Sequence, residues 1–331
     1  MREAQARQGA APKKRWVAAM SKQPLIDQLD EAIGRMLANP DAMPLSVDPE
    51  VVQLLHTARE LRDLPGPDFK ATLKRKAIMM STKTVVFRPG FRTITPYLLP
   101  QGLEYIDFLK RVFDAEETFR AEAGPGRFHA EVRIGDSMLM VGVGSDRKMP
   151  AAIDVYVPNV DEVYKRAVDA GCVELQPVQD AHWEPIRLGC VQDQAGNMWS
   201  IVTHLGKSYI PEGRNSISAG FVVKGAARFI DFLKQAFDAH EIQRWEWPGG
   251  LFASVRIGDS VVRVSESTNH EWMRPMTTMI NMYVLDCDTL YEEALSAGAK
   301  SISPVANQPY GVRSGAVEDA WGNQWFIATP L

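Results

Sequence analysis

The sequence predicts an α+β protein, in which two homologous modules follow a short helical N-terminal region. The main observation is an internal repeat, because self-similarity over a long period fixes the architecture before any local pattern is considered. Three blocks recur in the same order with offsets of 124, 123 and 126 residues: 105–115 as 229–239, 133–137 as 256–260, and 196–203 as 322–329. We therefore place the modules at residues 91–206 and 214–331, joined by a polar linker that contains glycine and proline.

The elements of one module follow from the spacing of its apolar residues. Strands alternate apolar and polar positions, whereas helices repeat their apolar positions every three or four residues. The second helix ends before Gly171, as expected of a C-terminal glycine. The first module is predicted to contain a strand at 93–99, a helix at 103–113, strands near 128–134, 137–143 and 152–157, a helix at 160–170 and a last strand at 198–204. These elements predict a sheet of mixed pairing with helices on one side.

The N-terminal part of the chain differs in kind from the modules. Residues 1–20 carry five basic side chains and one acidic side chain, and we expect a mobile basic tail there. Residues 21–85 show apolar side chains at helical spacing, with a proline at the start of one predicted helix. Two interpretations of this helical region stay open: helices that dock on the modules, or a separate partner-binding module.

Composition excludes several classes of function. The chain has 331 residues, of which 45% are hydrophobic and 24% are charged, as in ordinary globular proteins. Its 37 basic and 41 acidic side chains give a net charge of −4, so we expect no nucleic-acid partner. With no long apolar run and no secretory signal, we expect a cytoplasmic protein without a membrane partner, either a monomer or a homodimer. The three cysteines, which have no metal-binding spacing, are predicted to be buried free thiols.

Four segments together resemble the vicinal oxygen chelate superfamily of glyoxalases, bleomycin-resistance proteins and extradiol dioxygenases, and within it the PhnB-like branch. They are 94–98 (ITPYL), 112–115 (VFDA), 128–137 (FHAEVRIGDS) and 199–204 (WSIVTH). The resemblance covers nearly all of the first module, and the second module preserves its outline. It implies that the chain contains tandem βαβββ modules of the glyoxalase/bleomycin-resistance fold. It also implies that two such modules pack so that their sheets curl around a shared cavity.

Strand alternation predicts which side chains face that cavity. Trp199 and Ile201, like Trp325 and Ile327, recur in the repeat and should pack under the helices. Ala130, Val132 and Ile134 should do the same on an earlier strand. The opposite faces then supply the candidate ligand-binding residues Tyr97, Arg133, Asp154, Tyr156, Ser200, His204 and Tyr283.

In metal-dependent members, the resemblance implies two ligand positions per module: one on the first strand and one shortly after the final Gly-Asn turn. Those positions hold Thr95, Ser200, Ser218 and Phe326. A divalent metal needs imidazole or carboxylate ligands, and none of these four side chains supplies one. We therefore expect a cavity without metal and no other cofactor.

His129 and Glu131 are two residues apart on one strand face. A carboxylate beside an imidazole can transfer protons or bind a metal outside the family site, and it can also be a hydrogen-bonded structural pair. His182 and His204 would join this pair only if the fold brought them together. All three interpretations stay open.

Aromatic and basic side chains precede the last strand of each module. Trp183 and Arg187 in the first module, and Tyr310 and Arg313 in the second, would suit a flat or anionic ligand through stacking and bidentate hydrogen bonds. The two arginines could equally hold strand edges or pair with nearby aspartates. Trp245 and Trp247 share one face of a predicted hairpin, where they either line the cavity or seal a contact between the modules.

Three functions follow from these observations. The leading hypothesis is a small-molecule-binding protein that sequesters an aromatic or polar organic ligand in a metal-free cavity between the modules, as drug-binding relatives do. The second is a lyase or isomerase that uses His129 and Glu131 for proton transfer. The third is an interaction protein that acts through its helical N-terminus.

Overall fold

The computed structural model describes residues 27, 31, 34, 90–268, 270 and 273–331. The chain divides into two compact units, Met1–Lys83 and Thr84–Leu331. The predicted basic tail lies outside the described residues, and so does nearly all of the predicted helical region, where only Asp27, Glu31 and Gly34 are described, as helical. Both predicted modules belong to the second unit.

The first module contains eight strands and two helices. Its elements are β1 (Ile94–Leu98), α1 (Glu104–Phe113), β2 (Glu116–Gly124), β3 (Arg127–Ile134), β4 (Ser137–Val143), β5 (Ala152–Tyr156), α2 (Val160–Asp169), β6 (Val173–Asp180), β7 (Ile186–Gln192) and β8 (Met198–His204). The predicted elements are confirmed, and the structure adds β2, β6 and β7. With these strands, each module contains the βαβββ pattern twice.

The second module repeats this order. Its elements are β9 (Ile217–Val223), α3 (Ala226–Phe237), β10 (His240–Trp247), β11 (Gly250–Ile257), β12 (Ser260–Glu266), β13 (Met279–Tyr283), α4 (Cys287–Ser296), β14 (Lys300–Asn307), β15 (Val312–Glu318) and β16 (Gln324–Pro330). The expected hairpin before β11 is formed by β10 and β11.

The sixteen strands form two mixed sheets of eight, and each sheet takes half of its strands from each module. Sheet 1 has the order β14-β15-β16-β13-β1-β4-β3-β2, and sheet 2 has the order β10-β11-β12-β9-β5-β8-β7-β6. The modules meet where β1 pairs antiparallel with β13 and where β5 pairs antiparallel with β9. Each sheet is therefore shared between the modules, and the expectation that the sheets curl around one cavity stays a prediction.

The helices cover the opposite faces of the sheets. Helix α1 buries six of its ten residues at helical spacing and ends at Asp114, which has a left-handed backbone with φ of 54°. Helix α2 begins at Asn159, whose side chain accepts a hydrogen bond from the Glu162 amide. Trp199 and Ile201 lie in the core under the first pair of helices, and Trp325 and Ile327 lie under the second pair. Ala130, Val132 and Ile134 are also in the core, so the predicted strand faces are confirmed.

The repeated Gly-Asp-Ser turns link the modules. After β3, the Asp136 carboxylate accepts a hydrogen bond from the Ser216 amide at 2.8 Å, and the Ser137 hydroxyl accepts one from the Ile217 amide at 3.2 Å. Gly135 has φ of 58°, and a Cβ there would clash with the Ser216 side chain, so glycine is required. The same bonds recur from Asp259 and Ser260 to Thr93 and Ile94. Each module thus fixes the start of the other module's first strand.

A buried aspartate organises the Gly-Asn turn before the last strand of each module. Asp193 accepts side-chain hydrogen bonds from Tyr105 at 2.6 Å, from Asn197 at 3.0 Å and from the Trp199 indole at 2.8 Å. In the second module, Asp319 binds Asn323 and Trp325 in the same way at 2.9 Å each, and Phe229 stands where the first module has the tyrosine.

Three further expectations concern thiols, membranes and metals. Cys172, Cys190 and Cys287 are free and buried, as predicted. In the part of the chain that the structure describes, no helix has the length and apolar character needed to cross a membrane. No three His, Cys, Asp or Glu side chains among the described residues are grouped so that they could hold a metal ion.

Candidate binding cavity on the second sheet

A cavity of about 500 Å³ lies on the face of sheet 2 that is opposite its helices. It is lined by strands β5 to β8 of the first module and β10 to β12 of the second, so both modules contribute to it. Its walls are aromatic and contain Trp183, Trp245, Trp247 and Phe252. Its base carries charge and contains Asp154, Glu184, Arg214 and Arg263. Ligand sites in proteins typically combine a concave, mostly apolar surface with a few placed polar groups.

The base of the cavity is a buried ion pair between Asp154 on β5 and Arg263 on β12. The Arg263 Nε donates a hydrogen bond to the Asp154 Oδ2 at 2.9 Å, and its Nη2 lies 2.8 Å from the Oδ1. Nη2 also donates to the Ser200 hydroxyl at 3.4 Å. The two charged side chains are only 7% and 10% exposed, so each charge depends on the other to offset its lost hydration.

The guanidinium has room at this place because β9 carries Gly220 beneath it. A Cβ on Gly220 would lie 2.9 Å from the Arg263 Nη2. Burial disfavours the charged form of Arg263, but the Asp154 carboxylate outweighs this effect and keeps the pKa of the guanidinium above its usual value. A positive charge is therefore permanently present at the centre of sheet 2.

A second, looser pair lies beside the first. Arg214 donates from Nη2 to the Ser254 hydroxyl at 2.7 Å, and the same nitrogen is 4.0 Å from the Glu184 carboxylate. Burial raises the pKa of Glu184, with Arg214 and His204 opposing this effect and Asp154 adding to it. Burial also raises the pKa of Tyr156 to about 12, so its phenol stays protonated among these charges.

The aromatic walls leave large ring surfaces uncovered. Trp183 is 43% exposed and Trp247 is 46% exposed, although both line the cavity. Trp245 packs against Phe252 with ring centroids 5.3 Å apart. Of the two interpretations of Trp245 and Trp247, the structure therefore favours cavity-lining residues. Exposed indoles of this kind offer stacking surface to a flat ligand.

The same positions on sheet 1 are neutral. The strand registers show which residue of sheet 1 corresponds to each cavity residue of sheet 2. For example, Arg263 pairs with Gly220 on sheet 2, and Met140 pairs with Tyr97 at the same place on sheet 1. By the repeat, Asp154, Glu184, Arg214 and Arg263 correspond to Asn281, Tyr310, Phe91 and Met140. On sheet 1, Phe91, Met138, Met140, Tyr283 and Ala328 form a buried apolar cluster. The fold therefore does not require the four charges, and only sheet 2 has them.

His129 and Glu131 lie on the face of sheet 1 that is opposite its helices, and neither residue lines the cavity of sheet 2. The His129 Nδ1 shares a hydrogen bond of 2.9 Å with the Tyr97 hydroxyl, and its Nε2 lies 3.7 Å from the Glu131 Oε1. Burial raises the pKa of Tyr97 to about 12, with a smaller contribution from Tyr310. The described geometry brings the predicted pair together with Tyr97. His182 and His204 are not part of this group, since both belong to sheet 2.

The structure divides the predicted ligand-binding residues into three groups. Asp154, Tyr156, Trp183 and Ser200 line the cavity of sheet 2. Tyr97, Tyr283 and Tyr310 belong to sheet 1, and His204 lies at the end of β8, where its Nδ1 donates to the Ser208 carbonyl at 2.7 Å. The remaining three residues are arginines that form ion pairs outside the cavity. Arg133 pairs with Glu116, Arg187 pairs with Asp161 and Asp180, and Arg313 pairs with Asp288. Asp193 and Asp319 hold the Gly-Asn turns and do not pair with these arginines.

The family metal positions fall on both sheets and do not fit a metal ion. On sheet 2, the family positions Ser200 and Ser218 lie on the two strands next to β5 and pair with Asp154. On sheet 1, the family positions Thr95 and Phe326 pair with Asn281 in the same way. Serine hydroxyls are weak ligands, and the one carboxylate among these side chains is already neutralised by Arg263. A divalent cation at this place would face the guanidinium at close range.

Arg263, Arg214 and Glu184 are the charged cavity residues that sequence reasoning missed. Arg263 had a detectable signal, because it interrupts a run of valines on a strand whose counterpart carries Met140. A buried arginine needs a partner, but the sequence does not reveal that this partner is Asp154, 109 residues away. Arg214 lies just before β9 and Glu184 lies in a loop, where no periodic pattern marks them.

Comparisons with known protein sequences find relatives of part of this chain. No family model matches the sequence. The uncharacterized protein Mb0911c of Mycobacterium bovis is 32% identical over 127 residues, which cover 35% of this chain and 84% of that protein. Rv0887c of Mycobacterium tuberculosis is 32% identical over the same length, with 75% of it covered. The chain belongs to the family of these mycobacterial proteins, and the match is roughly one module long.

Solved structures identify the fold. Glyoxalase I from Zea mays superposes with a TM-score of 0.56 at 12% identity, covering 73% of this chain and 92% of that one. A putative dioxygenase from Bacillus subtilis gives a TM-score of 0.51 at 13% identity over 73% and 84% of the two chains. The chain has the vicinal oxygen chelate fold. The resemblance drawn from the sequence is thus confirmed for this fold, whereas the PhnB-like branch stays a prediction.

Proposed function

We propose that this vicinal oxygen chelate protein binds a small aromatic or polar organic molecule in the cavity of sheet 2, without a metal ion. The observation that carries the proposal is the difference between the two sheets. Sheet 1 is built from the same repeat and replaces all four charged cavity side chains with neutral ones. Buried charges cost stability unless they are paired, so a role beyond folding is the simplest reason for their presence.

The lining supports binding of a ligand of moderate size. A cavity of about 500 Å³ lies within the range of roughly 300–1,000 Å³ found for small-molecule sites. Its tryptophans supply contact surface, and its paired charges supply orientation. Sequestration needs no more than this, and it does not depend on a bound metal.

A thermal-shift screen of metabolites and antibiotics tests the proposal, with a variant that fills the cavity as the control. Ser200→Phe is suitable because sheet 1 carries Phe326 at the counterpart position. We expect at least one planar aromatic compound to raise the Tm of the wild-type chain and to leave Ser200→Phe unchanged. Absence of stabilisation by every compound, or equal stabilisation of both chains, would contradict the proposal.

A proton-transfer activity of His129 and Glu131 remains the second candidate. The hydrogen bond between the Tyr97 hydroxyl and the His129 Nδ1 favours it, because it fixes the imidazole beside the carboxylate. Turnover of a compound by the wild-type chain and its loss in His129→Ala, with Ser200→Phe still active, would support this function. Turnover that survives in His129→Ala would contradict it.

A further inference from the structure

We infer that the molecule held on sheet 2 is a planar aromatic carboxylate, with its ring between the tryptophans and its carboxylate beside Arg214 and Tyr156. The inference rests on the proposed function, because it names the chemical class of the ligand for the same cavity. Three features of the cavity carry it: uncovered indole surface, unused hydrogen-bond donors, and a positive charge that is only loosely paired.

The ring surface predicts a flat hydrophobic body. Trp183 and Trp247 line the cavity and are still almost half exposed. Apolar surface of this size is covered most effectively by another ring, which gains both burial and stacking. Sheet 1 has no tryptophan at the positions opposite its β3, where Ala121 pairs with His129 as Trp245 pairs with Phe252.

Three side chains at the cavity keep unused hydrogen-bond donors, whereas the Asp154 Oδ1, which accepts no hydrogen bond from the described residues, is ion-paired with Arg263. Within the described residues, the Arg263 Nη1 and the Tyr156 hydroxyl have no hydrogen-bond partner, and both residues line the cavity. The Ser265 hydroxyl is fully buried at the cavity and likewise has no partner among the described residues. A ligand that offers acceptor oxygens would form hydrogen bonds with these donors and so gain free energy.

The charge balance predicts that these acceptor oxygens carry a negative charge. Asp154 neutralises Arg263 at 2.8 Å, whereas Glu184 is 4.0 Å from Arg214 at the limit of an ion pair. When Glu184 is protonated, Arg214 is left with an unbalanced positive charge inside a partly buried site. A carboxylate on the ligand can then replace Glu184 as the partner of Arg214 with bidentate geometry.

This exchange of partners links binding to proton uptake. The groups that shift the pKa of Glu184 are Arg214, Asp154 and His204, and His182, Tyr156 and Arg263 line the same cavity. Burial and Asp154 already raise the pKa of Glu184, and an anionic ligand beside it would raise that pKa further. Affinity for the carboxylate should therefore increase as the pH falls.

Calorimetric titration with 2-naphthoate and 2-naphthamide tests the inference, since the two probes share a ring system and differ in charge. At pH 6 we expect 2-naphthoate to bind at least about tenfold more tightly than the amide. Arg214→Gln should weaken 2-naphthoate about thirtyfold and leave the amide nearly unchanged. Glu184→Gln should strengthen 2-naphthoate at pH 8 and remove its pH dependence. Arg313→Gln, which alters an exposed arginine outside the cavity, should change neither probe.

The outcomes separate this inference from the proposed function. Equal affinity for both probes, or tighter binding of the amide, would overturn the carboxylate class and leave a ligand-binding cavity in place. Failure of 2-naphthoate to bind would also overturn the inference, while the screen against Ser200→Phe decides the proposed function independently. Binding of 2-naphthoate that is indifferent to Arg214→Gln would overturn the assignment of its anchor.

Discussion

The pair of Asp154 and Arg263 can be removed in two ways that have opposite consequences for stability. Asp154→Asn or Arg263→Met alone leaves one charge buried without a partner, which costs about 3–5 kcal/mol. For a domain of this size, a loss of 1 kcal/mol lowers Tm by about 2–4 °C, so each single substitution should lower it by about 6–20 °C. The side chains are no more than 10% exposed, so water cannot replace the missing partner.

The double substitution Asp154→Asn with Arg263→Met should restore most of this stability. It copies Asn281 and Met140, which already occupy the counterpart positions on sheet 1 of the same chain. Replacing a buried ion pair with a neutral pair is often neutral or stabilising. Thermal and urea unfolding of the four chains, followed by near-ultraviolet circular dichroism, gives the coupling energy directly. Two results would rule out this coupling between the two charges. One is a double variant whose loss of stability equals the sum of the two single losses, and the other is single variants with unchanged Tm.

Three further predictions concern single side chains and metal content. The pKa of Glu184 is raised in the folded state, so its protonated form favours folding. This contribution to stability is present below the pKa of the unfolded state and is lost as the pH rises through the pKa of the folded state. Glu184→Gln should therefore raise Tm at pH 8 and not at pH 4, whereas a lower Tm at pH 8 would contradict the sign of the effect. Tyr105→Phe removes a hydrogen bond to the Asp193 carboxylate and should cost about 1.5–3 kcal/mol in urea unfolding, and an unchanged midpoint would be inconsistent with the bond. Elemental analysis of the purified chain should find no stoichiometric zinc, iron, manganese or nickel, and one equivalent of any of them would overturn the metal-free cavity.

The internal repeat made the modules and most buried elements predictable. Strands β3, β4 and β8 alternate or concentrate apolar residues, and each was placed within one or two residues of its observed bounds. The repeated Gly-Asp-Ser and Gly-Asn blocks proved to be turns that hold the fold together. Their recurrence reflects hydrogen bonds that both modules need.

The missed strands have a physical explanation. Strand β2 is an edge strand with most side chains exposed, so no alternation marks it. Strand β6 is also at an edge and carries Pro177, which is typical of edge positions. Strand β7 contains Gly189, where Tyr164 approaches too closely for a Cβ. Without these strands, the second βαβββ unit of each module could not be recognised.

The candidate site was only partly predictable for a related reason. Strand faces follow from alternation, which predicts one surface for Asp154, Tyr156 and Ser200, and all three line the cavity of sheet 2. Alternation does not reveal that each sheet combines four strands of one module with four of the other, because this arrangement depends on the pairing of β5 with β9. Only that pairing brings Arg263 to Asp154 and places these charges on sheet 2, whereas the counterpart positions on sheet 1 are neutral.

The most direct test of the charged cavity on sheet 2 is a crystal structure of the chain with 2-naphthoate. We expect density for one naphthyl ring between Trp183 and Trp247, with its carboxylate within hydrogen-bond distance of Arg214 and the Asp154–Arg263 pair intact. Density for the compound on sheet 1, or a carboxylate that turns to solvent away from Arg214, would contradict a binding role for this cavity's charges.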